Sequence, residues 1–71
     1  MFTDEENKEL FTDASTLAYM AIRFSGLHKD LSGSEWDELA DVWGAEIVSM
    51  IAAKCEAKLE ALATNAEVRA A

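Results

Sequence analysis

The chain has 71 residues, of which 14 are acidic and six are basic, so its formal net charge is −8. That sign argues against binding nucleic acids or anionic membranes, because both interactions depend on Lys and Arg. Half of the residues are apolar, proline is absent and there is one cysteine. We therefore expect one small helical domain with a buried core and no internal disulfide.

The first predicted helix covers residues 4–25. Thr3 and Glu6 have the spacing of a capping box, in which each side chain accepts a hydrogen bond from the other residue's backbone N–H. Gly26 is expected to end the helix in a left-handed conformation, and residues 26–32 then connect it to the next element. The apolar residues alternate in steps of four and three, which predicts a coiled-coil type of seam formed by Leu10, Ala14, Leu17, Ala21 and Phe24.

The second predicted helix covers residues 33–64. Ser32 and Glu35 form another capping box, while Leu31 and Trp36 have the spacing of a hydrophobic staple. Together these two motifs fix where the helix begins and the direction in which the chain enters it. The apolar stripe of this helix consists of Trp36, Ala40, Trp43, Ile47, Ile51, Cys55, Leu59, Leu62 and Ala66.

A short connection makes neighbouring helices antiparallel, so the sequence predicts an all-α protein built as a two-helix hairpin. The second helix is longer by roughly three turns and carries Leu59 and Leu62 past the end of the first. Because each helix buries only one stripe, we expect two hairpins to pair in a homodimeric four-helix arrangement. The alternative is a monomer in which Met1 and Phe2 fold over this overhang. The residues expected in the dimer contact or core are Leu17, Phe24, Trp43, Ile47, Ile51, Leu59 and Leu62.

The side chains that carry enzyme or metal chemistry are few and far apart. His28 lies in the connection and Cys55 lies well along the second helix, so a nucleophile–base pair is not expected. The Glu-x-x-His pattern of di-metal bundles and the calcium-loop pattern are both missing from the sequence. We expect no enzyme activity, no cofactor and no metal. An acidic N-terminus unlike a signal peptide, and the lack of a long apolar run, favour a cytoplasmic protein.

Residues outside the predicted seam are the candidates for binding another protein. Tyr19, Ile22 and Arg23 share one face of the first helix, and Tyr, Arg and Trp are enriched at interface hot spots. Carboxylates cluster around the connection, where they either face solvent or present charge to a basic groove as DNA phosphates do. The predicted contact set is Tyr19, Ile22, Arg23, Trp36, Asp37 and Asp41. Whether this face binds a second copy or a different partner stays open at this stage.

These features favour a protein–protein interaction module that inhibits or bridges another protein. In size, acidity and helical simplicity the chain resembles the small proteins that bacteriophages make to inhibit host factors, which implies a host regulator with a basic or hydrophobic surface as the target. A second hypothesis is a small-ligand binder, in which Tyr19, Arg23, Lys29 and Trp36 hold an aromatic anion such as a nucleotide inside an oligomeric bundle. A third is a structural subunit or chaperone-like partner of an assembly.

Overall fold

The computed structural model describes residues 2–70 of the chain and the side chains of residues 2–66. Helix α1 spans Asp4–Ser25, a short 3-10 helix spans Leu27–Asp30, and helix α2 spans Gly33–Ala70. The prediction of an all-helical hairpin is confirmed, since the described residues form two helices and no strand.

Helix α2 is longer than the sequence indicated. It continues to Ala70, so the predicted end near residue 64 was wrong. The residues that follow Thr64 are mostly Ala, Glu and Arg, which favour helix, and no glycine or proline interrupts them. At 1.5 Å per residue, the 38 residues of α2 span about 57 Å, which accounts for the longest dimension of the molecule, 58 Å. Neither helix, over the residues described, is apolar enough along a sufficient length to cross a membrane.

Both predicted capping boxes are present. The backbone N–H of Glu6 donates to Thr3 Oγ1 at 3.1 Å, and the N–H of Thr3 donates back to Glu6 Oε1 at 2.9 Å. The second box has the same form, with Glu35 N–H to Ser32 Oγ at 3.2 Å and Ser32 N–H to Glu35 Oε1 at 3.1 Å. Each box supplies partners to backbone groups that a helix start would otherwise leave unpaired.

The end of α1 is fixed by Gly26 and a serine hydroxyl. Gly26 has a φ of 84°, and its N–H donates to the carbonyl of Arg23 at 3.1 Å. The Leu27 N–H donates to Ser25 Oγ at 3.3 Å, and that hydroxyl donates to the carbonyl of Ile22 at 2.8 Å. The hydroxyl thus bridges the Leu27 N–H and the Ile22 carbonyl, which in a Schellman cap would hydrogen-bond to each other directly. The chain leaves the helix in a defined direction.

Small side chains fill the seam between the two helices. Ala14, Ala18 and Ile22 of α1 are buried at steps of four residues, and Ala40 of α2 is buried opposite them. Ile22, with 1% of its surface exposed, is the one large side chain fully buried in the described part of the chain. Partly buried residues complete this core, namely Leu31, Trp36, Leu39 and Ile47. Steps of four on both helices are the pattern of ridges that pack into grooves.

The backbones come closest at Gly44. A Cβ atom added there would lie 2.5 Å from Ser15 Oγ, 2.8 Å from Ser15 N and 2.9 Å from Ser15 Cα. Real Cβ atoms essentially never come this close to another heavy atom, so any side chain at position 44 would force the helices apart. The glycine costs helix α2 about 1 kcal/mol in propensity, which the close approach offsets.

The predicted seam of α1 differs from the one that packs against α2. Leu17 and Phe24 were expected inside it, but they are 59% and 70% exposed, and of the five predicted positions only Ala14 is buried. As core residues of the hairpin, Leu17 and Phe24 were wrong predictions. The physical reason is volume, because a leucine or phenylalanine on the line of Ala14 and Ala18 would prevent the approach at Gly44. Their place in a dimer contact stays a prediction.

The open end of the hairpin is less well packed. Phe2 and Glu6 line a shallow groove with residues of α2 that lie far along the chain, namely Cys55, Lys58 and Leu59. Phe2 is partly buried, but Leu59 and Leu62 both stay exposed. Phe2 thus covers only part of the overhang, so the alternative in which Met1 and Phe2 fold over it is only partly supported. Met1 lies outside the described residues.

Candidate functional site

An aromatic pair joins the two helices near the connection. The rings of Tyr19 and Trp36 stack with centroids 4.0 Å apart and planes at 6°. The Trp36 indole Nε1–H donates to the backbone carbonyl of Tyr19 at 3.2 Å. The His28 ring lies 5.0 Å from the Trp36 ring at an angle of 39°. The indole is therefore held by stacking, by a hydrogen bond and by a third ring, which makes the pair a rigid element.

A groove of about 380 Å³ lies beside this pair. Tyr19 stands on the α1 side and two carboxylates, Asp37 and Asp41, stand one turn apart on the α2 side. The full lining, which we call the acidic groove, is Ser15, Thr16, Tyr19, Asp37, Ala40 and Asp41. The Ser15 hydroxyl is buried against Gly44 in the contact between the helices and has no hydrogen-bond partner.

The chemistry of the acidic groove suits a cationic side chain. Ionised carboxylates accept charge-assisted hydrogen bonds from Lys or Arg, and an Arg guanidinium binds two acceptors at once. The face of a tyrosine ring attracts a cation within about 6 Å. An extended basic side chain placed in the groove would meet both kinds of partner, and its apolar stem would lie against Ala40.

The structure divides the predicted contact set into three parts. Tyr19, Trp36, Asp37 and Asp41 come together at or beside the acidic groove. Ile22 does not, because it follows Ala18 by one turn on the inner line of α1 and is buried. Its prediction as a contact residue was wrong.

Arg23 also falls outside the groove lining. Its guanidinium carbon lies 4.9 Å from the centroid of the Phe24 ring, so the side chain leans along α1 toward its neighbour. The three residues that the sequence placed on one face therefore lie in three different environments. Tyr19 forms a wall of the groove, Ile22 lies in the core, and Arg23 makes an exposed cation–π contact.

Sequence reasoning missed Ser15 and Thr16. Neither residue type stands out, and their place in the groove depends on how α1 is aligned along α2. The one signal in the sequence for that alignment is Gly44, since a glycine inside a helix allows another backbone to approach closely. The sequence did not identify Ser15 as the residue on the other side.

A second surface of the hairpin is apolar. Leu17 and Phe24 lie about a third of a turn around α1 from Ala18 of its buried line, and Trp43 and Met50 lie displaced in the same rotational sense around α2 from Ala40. The pairs Ser15–Gly44 and Tyr19–Trp36 show that the helices are antiparallel. In an antiparallel pair, equal rotations in that sense bring both sets to the same side.

We call this surface the apolar face and define it by Leu17, Phe24, Trp43, Ile47 and Met50. Trp43, Ile47 and Met50 line one shallow depression together with Glu46. Met50 is 50% exposed and Trp43 37% exposed. Tyr19 and Asp41 are rotated in the opposite sense about their helices, so the acidic groove lies on the other side of the hairpin.

The remaining residues predicted for the dimer or core lie elsewhere. Ile47 is partly buried and packs against the core from the edge of the apolar face. Ile51 is exposed and lies nearer the inner line of α2, while Leu59 and Leu62 are exposed toward the overhang. Their role in self-association stays a prediction.

The titration of two glutamates is linked to the caps. The pKa of Glu6 is lowered chiefly by the hydrogen bond from the Thr3 backbone N–H and further by the Thr3 hydroxyl. The pKa of Glu35 is lowered in the same way by the Ser32 backbone and then its hydroxyl. The ionised form of each carboxylate is thus the one that completes its box.

No cluster of His, Cys, Asp and Glu in the described side chains is arranged to hold a metal ion. His28 belongs to the 3-10 helix at one end of the hairpin, and Cys55 lies beside Phe2 and Glu6 at the other. These two side chains are therefore not brought together.

Comparisons of the chain with family models, with curated proteins and with solved structures gave no significant match.

Proposed function

We propose that this protein is a small acidic helical interaction module, an inhibitor or adaptor that binds another protein through the acidic groove and acts as a homodimer of hairpins. The observation that carries this proposal is the pairing of a rigid aromatic wall, Tyr19 stacked on Trp36, with two carboxylates one helical turn apart. Rigid aromatic groups beside charged groups are typical of interface hot spots.

The expected partner presents Lys or Arg side chains on its surface. A net charge of −8 on so small a protein attracts such a surface over some distance and speeds association. The groove then distinguishes among basic surfaces, because a side chain must reach between Tyr19 and Asp41 to lose its hydration and gain new partners. A regulator whose basic surface binds DNA would meet these requirements.

A nucleotide-type ligand suits the groove less well. Phosphate groups would be repelled by Asp37 and Asp41, and Arg23, one of the two cations expected to hold such an anion, lies against Phe24 instead. The stacked faces of Tyr19 and Trp36 are already occupied by each other. A base held between the two rings would have to separate them.

The test compares two charge-matched double variants in partner binding. Asp37→Asn with Asp41→Asn removes the two groove carboxylates, and Glu38→Gln with Glu56→Gln removes two exposed carboxylates of the same helix that line neither the groove nor the apolar face. Proteins captured from a cell lysate by the wild type are identified by cross-linking and mass spectrometry, and the affinity of the purified pair is then measured.

We expect the groove variant to bind at least about tenfold more weakly, since a hydrogen bond to a charged group contributes about 1.5–3 kcal/mol and 1.4 kcal/mol corresponds to tenfold. The control variant should lose only the long-range attraction, an effect that disappears at high salt. Equal losses in both variants would show that the partner senses net charge and not the groove, which would contradict the proposal.

A further inference from the structure

We infer that the apolar face is covered by a second copy of this chain, so that two hairpins pack face to face and their acidic grooves point outward on opposite sides. The pairing supplies the surface of the homodimer named in the proposed function, and it does not depend on what the grooves bind. That the dimer offers two partner sites rests on the proposed function.

The hairpin leaves several large apolar side chains of the apolar face uncovered. Leu17, Phe24 and Met50 are each at least half exposed, and Trp43 exposes 37% of its surface. If a large side chain contributes on the order of 200 Å² when fully exposed, these four expose about 400 Å² of apolar surface on one side. That is as large as the largest patch on a typical monomeric protein, and such patches usually mark contact sites.

The spacing of these residues favours a helix as the group that covers them. Leu17 and Phe24 are seven residues apart on α1, and Trp43 and Met50 are seven residues apart on α2. Seven-residue repeats keep a seam directed at a neighbouring helix over successive turns. The buried contact inside the hairpin uses steps of four instead. These seven-residue spacings are therefore not used by the contact inside the hairpin, and they suit a helical partner.

The apolar lining of this face favours a second copy of the chain over a basic partner. The depression on α2 is lined by three apolar residues and one charge, Glu46. A partner chosen for basic residues would gain little there, whereas the acidic groove offers it two carboxylates. A second hairpin brings the same apolar face with the same two repeats, and a twofold axis makes such a surface complementary to itself.

The apolar face supplies a large part of the area that a specific dimer needs. A standard interface removes about 800 Å² of surface from each partner. The four exposed side chains supply about half of that amount, and the neighbouring Leu10, Ala21, Leu39 and Ile47 extend the same side of the hairpin. The molecule exposes 5512 Å² in all, so a contact of this size would cover about a seventh of its surface.

The consequence of this packing is bivalency. Because the acidic grooves lie opposite the apolar faces, face-to-face pairing leaves both grooves accessible and directs them away from each other. A dimer then binds two partner molecules, or two sites of a dimeric partner with increased avidity. An adaptor gains a bridging function from this arrangement without any further residue.

The test measures the oligomeric state by analytical ultracentrifugation over a wide range of concentrations. The diagnostic variant is Leu17→Glu, and its control is Thr16→Glu, which adds the same charge at the adjacent exposed position on the groove side. Phe24→Glu is a second, independent variant of the apolar face. Circular dichroism of each variant checks that the helices remain, which is expected because all three positions are exposed.

We expect the wild type and Thr16→Glu to form dimers, and we expect both apolar-face variants to raise the dimer dissociation constant more than about tenfold, since an interface excludes an unpaired charge. A wild type that stays monomeric at all concentrations would overturn the inference. So would equal weakening by Leu17→Glu and Thr16→Glu, or dimers that survive both apolar-face substitutions.

The groove variant separates this inference from the proposed function. Asp37→Asn with Asp41→Asn should form dimers as tightly as the wild type, even where it fails to bind a partner. If that variant lost the dimer while Leu17→Glu kept it, the two surfaces would be assigned the wrong way round and the inference would fail.

Discussion

The inner seam and the apolar face of this hairpin are built from opposite kinds of residue. The seam is lined by Ala14, Ala18, Ala40 and Gly44, whereas Phe24, two residues beyond the buried Ile22, is 70% exposed. In water, large apolar residues usually occupy the core because they gain most from burial. Here the side chains are sorted by size, because two helices that nearly touch have room only for small groups.

The difference between the inner seam and the apolar face shows where the stability of the protein comes from. A seam of alanines buries little apolar area, and a domain of this size is marginal even with a good core. The close approach adds many small dispersion contacts along the helices. Twelve large apolar side chains of the described residues instead stay at least 36% exposed, among them Leu17, Phe24, Trp43 and Met50 of the apolar face.

The largest expected effect comes from removing the one large buried side chain. Ile22→Ala should lower the free energy of unfolding by about 2–5 kcal/mol, through lost burial and the cavity that remains. The exposed Leu17 is the matched position, and Leu17→Ala should change the stability of the monomeric hairpin by less than about 0.5 kcal/mol.

Urea unfolding followed by circular dichroism, at concentrations below those of self-association, measures both variants of this pair. Similar losses from Ile22→Ala and Leu17→Ala would mean that the seam and the apolar face contribute alike to the hairpin. The contrast between the two surfaces would then be incorrect.

A medium effect is expected from filling the closest approach. Gly44→Ala should destabilise the hairpin by about 1–3 kcal/mol through overpacking against Ser15, less about 1 kcal/mol gained in helix propensity. Gly33→Ala is the matched control, because a Cβ atom at Gly33 meets no atom within 4 Å. Thermal unfolding should show a lower midpoint for the first variant only. Stabilisation by both substitutions would show that the helices separate at little cost.

The smallest expected effect concerns the helix starts and pH. Because the folded pKa values of Glu6 and Glu35 are lowered, their contribution to stability is present above the ordinary glutamate pKa of about 4.3. It is lost as the pH falls below that value through the lowered folded pKa. The double variant Glu6→Gln with Glu35→Gln should therefore lose less stability than the wild type between about pH 6 and pH 3.

Glu38→Gln is the control for this pH dependence, since Glu38 lies outside both capping boxes. Thermal midpoints recorded across the pH range decide the outcome. A wild type and double variant with parallel curves would show that the boxes do not sense pH.

The parts of the fold that sequence predicted are those determined by neighbours along the chain. The boxes at Thr3 and Ser32 and the stop at Gly26 depend on residues within a few positions, so their spacing was enough. The facing surfaces of the helices depend on how close the backbones come. Hydrophobicity favoured Leu17 and Phe24 over Ala18, because an alanine contributes little to an apolar pattern even where it permits the tightest contact.

The candidate site followed the same division. Tyr19, Trp36, Asp37 and Asp41 were predicted from their residue types and their positions near the connection. Ile22 was placed wrongly because the wrong line of α1 was taken as the inner one. The groove itself, with Ser15 in its lining, depended on the alignment of two helices, which no local pattern specifies.

The two tryptophans give this protein a pair of separate optical reporters. Trp36 is stacked on Tyr19 and hydrogen-bonded to its backbone carbonyl, so its fluorescence emission responds to the packing of α1 against α2. Trp43 lies on the apolar face with 37% of its surface in solvent, so its emission responds to whatever covers that face. Replacing one tryptophan at a time by phenylalanine would let folding and association be timed independently in the same molecule, without an attached dye.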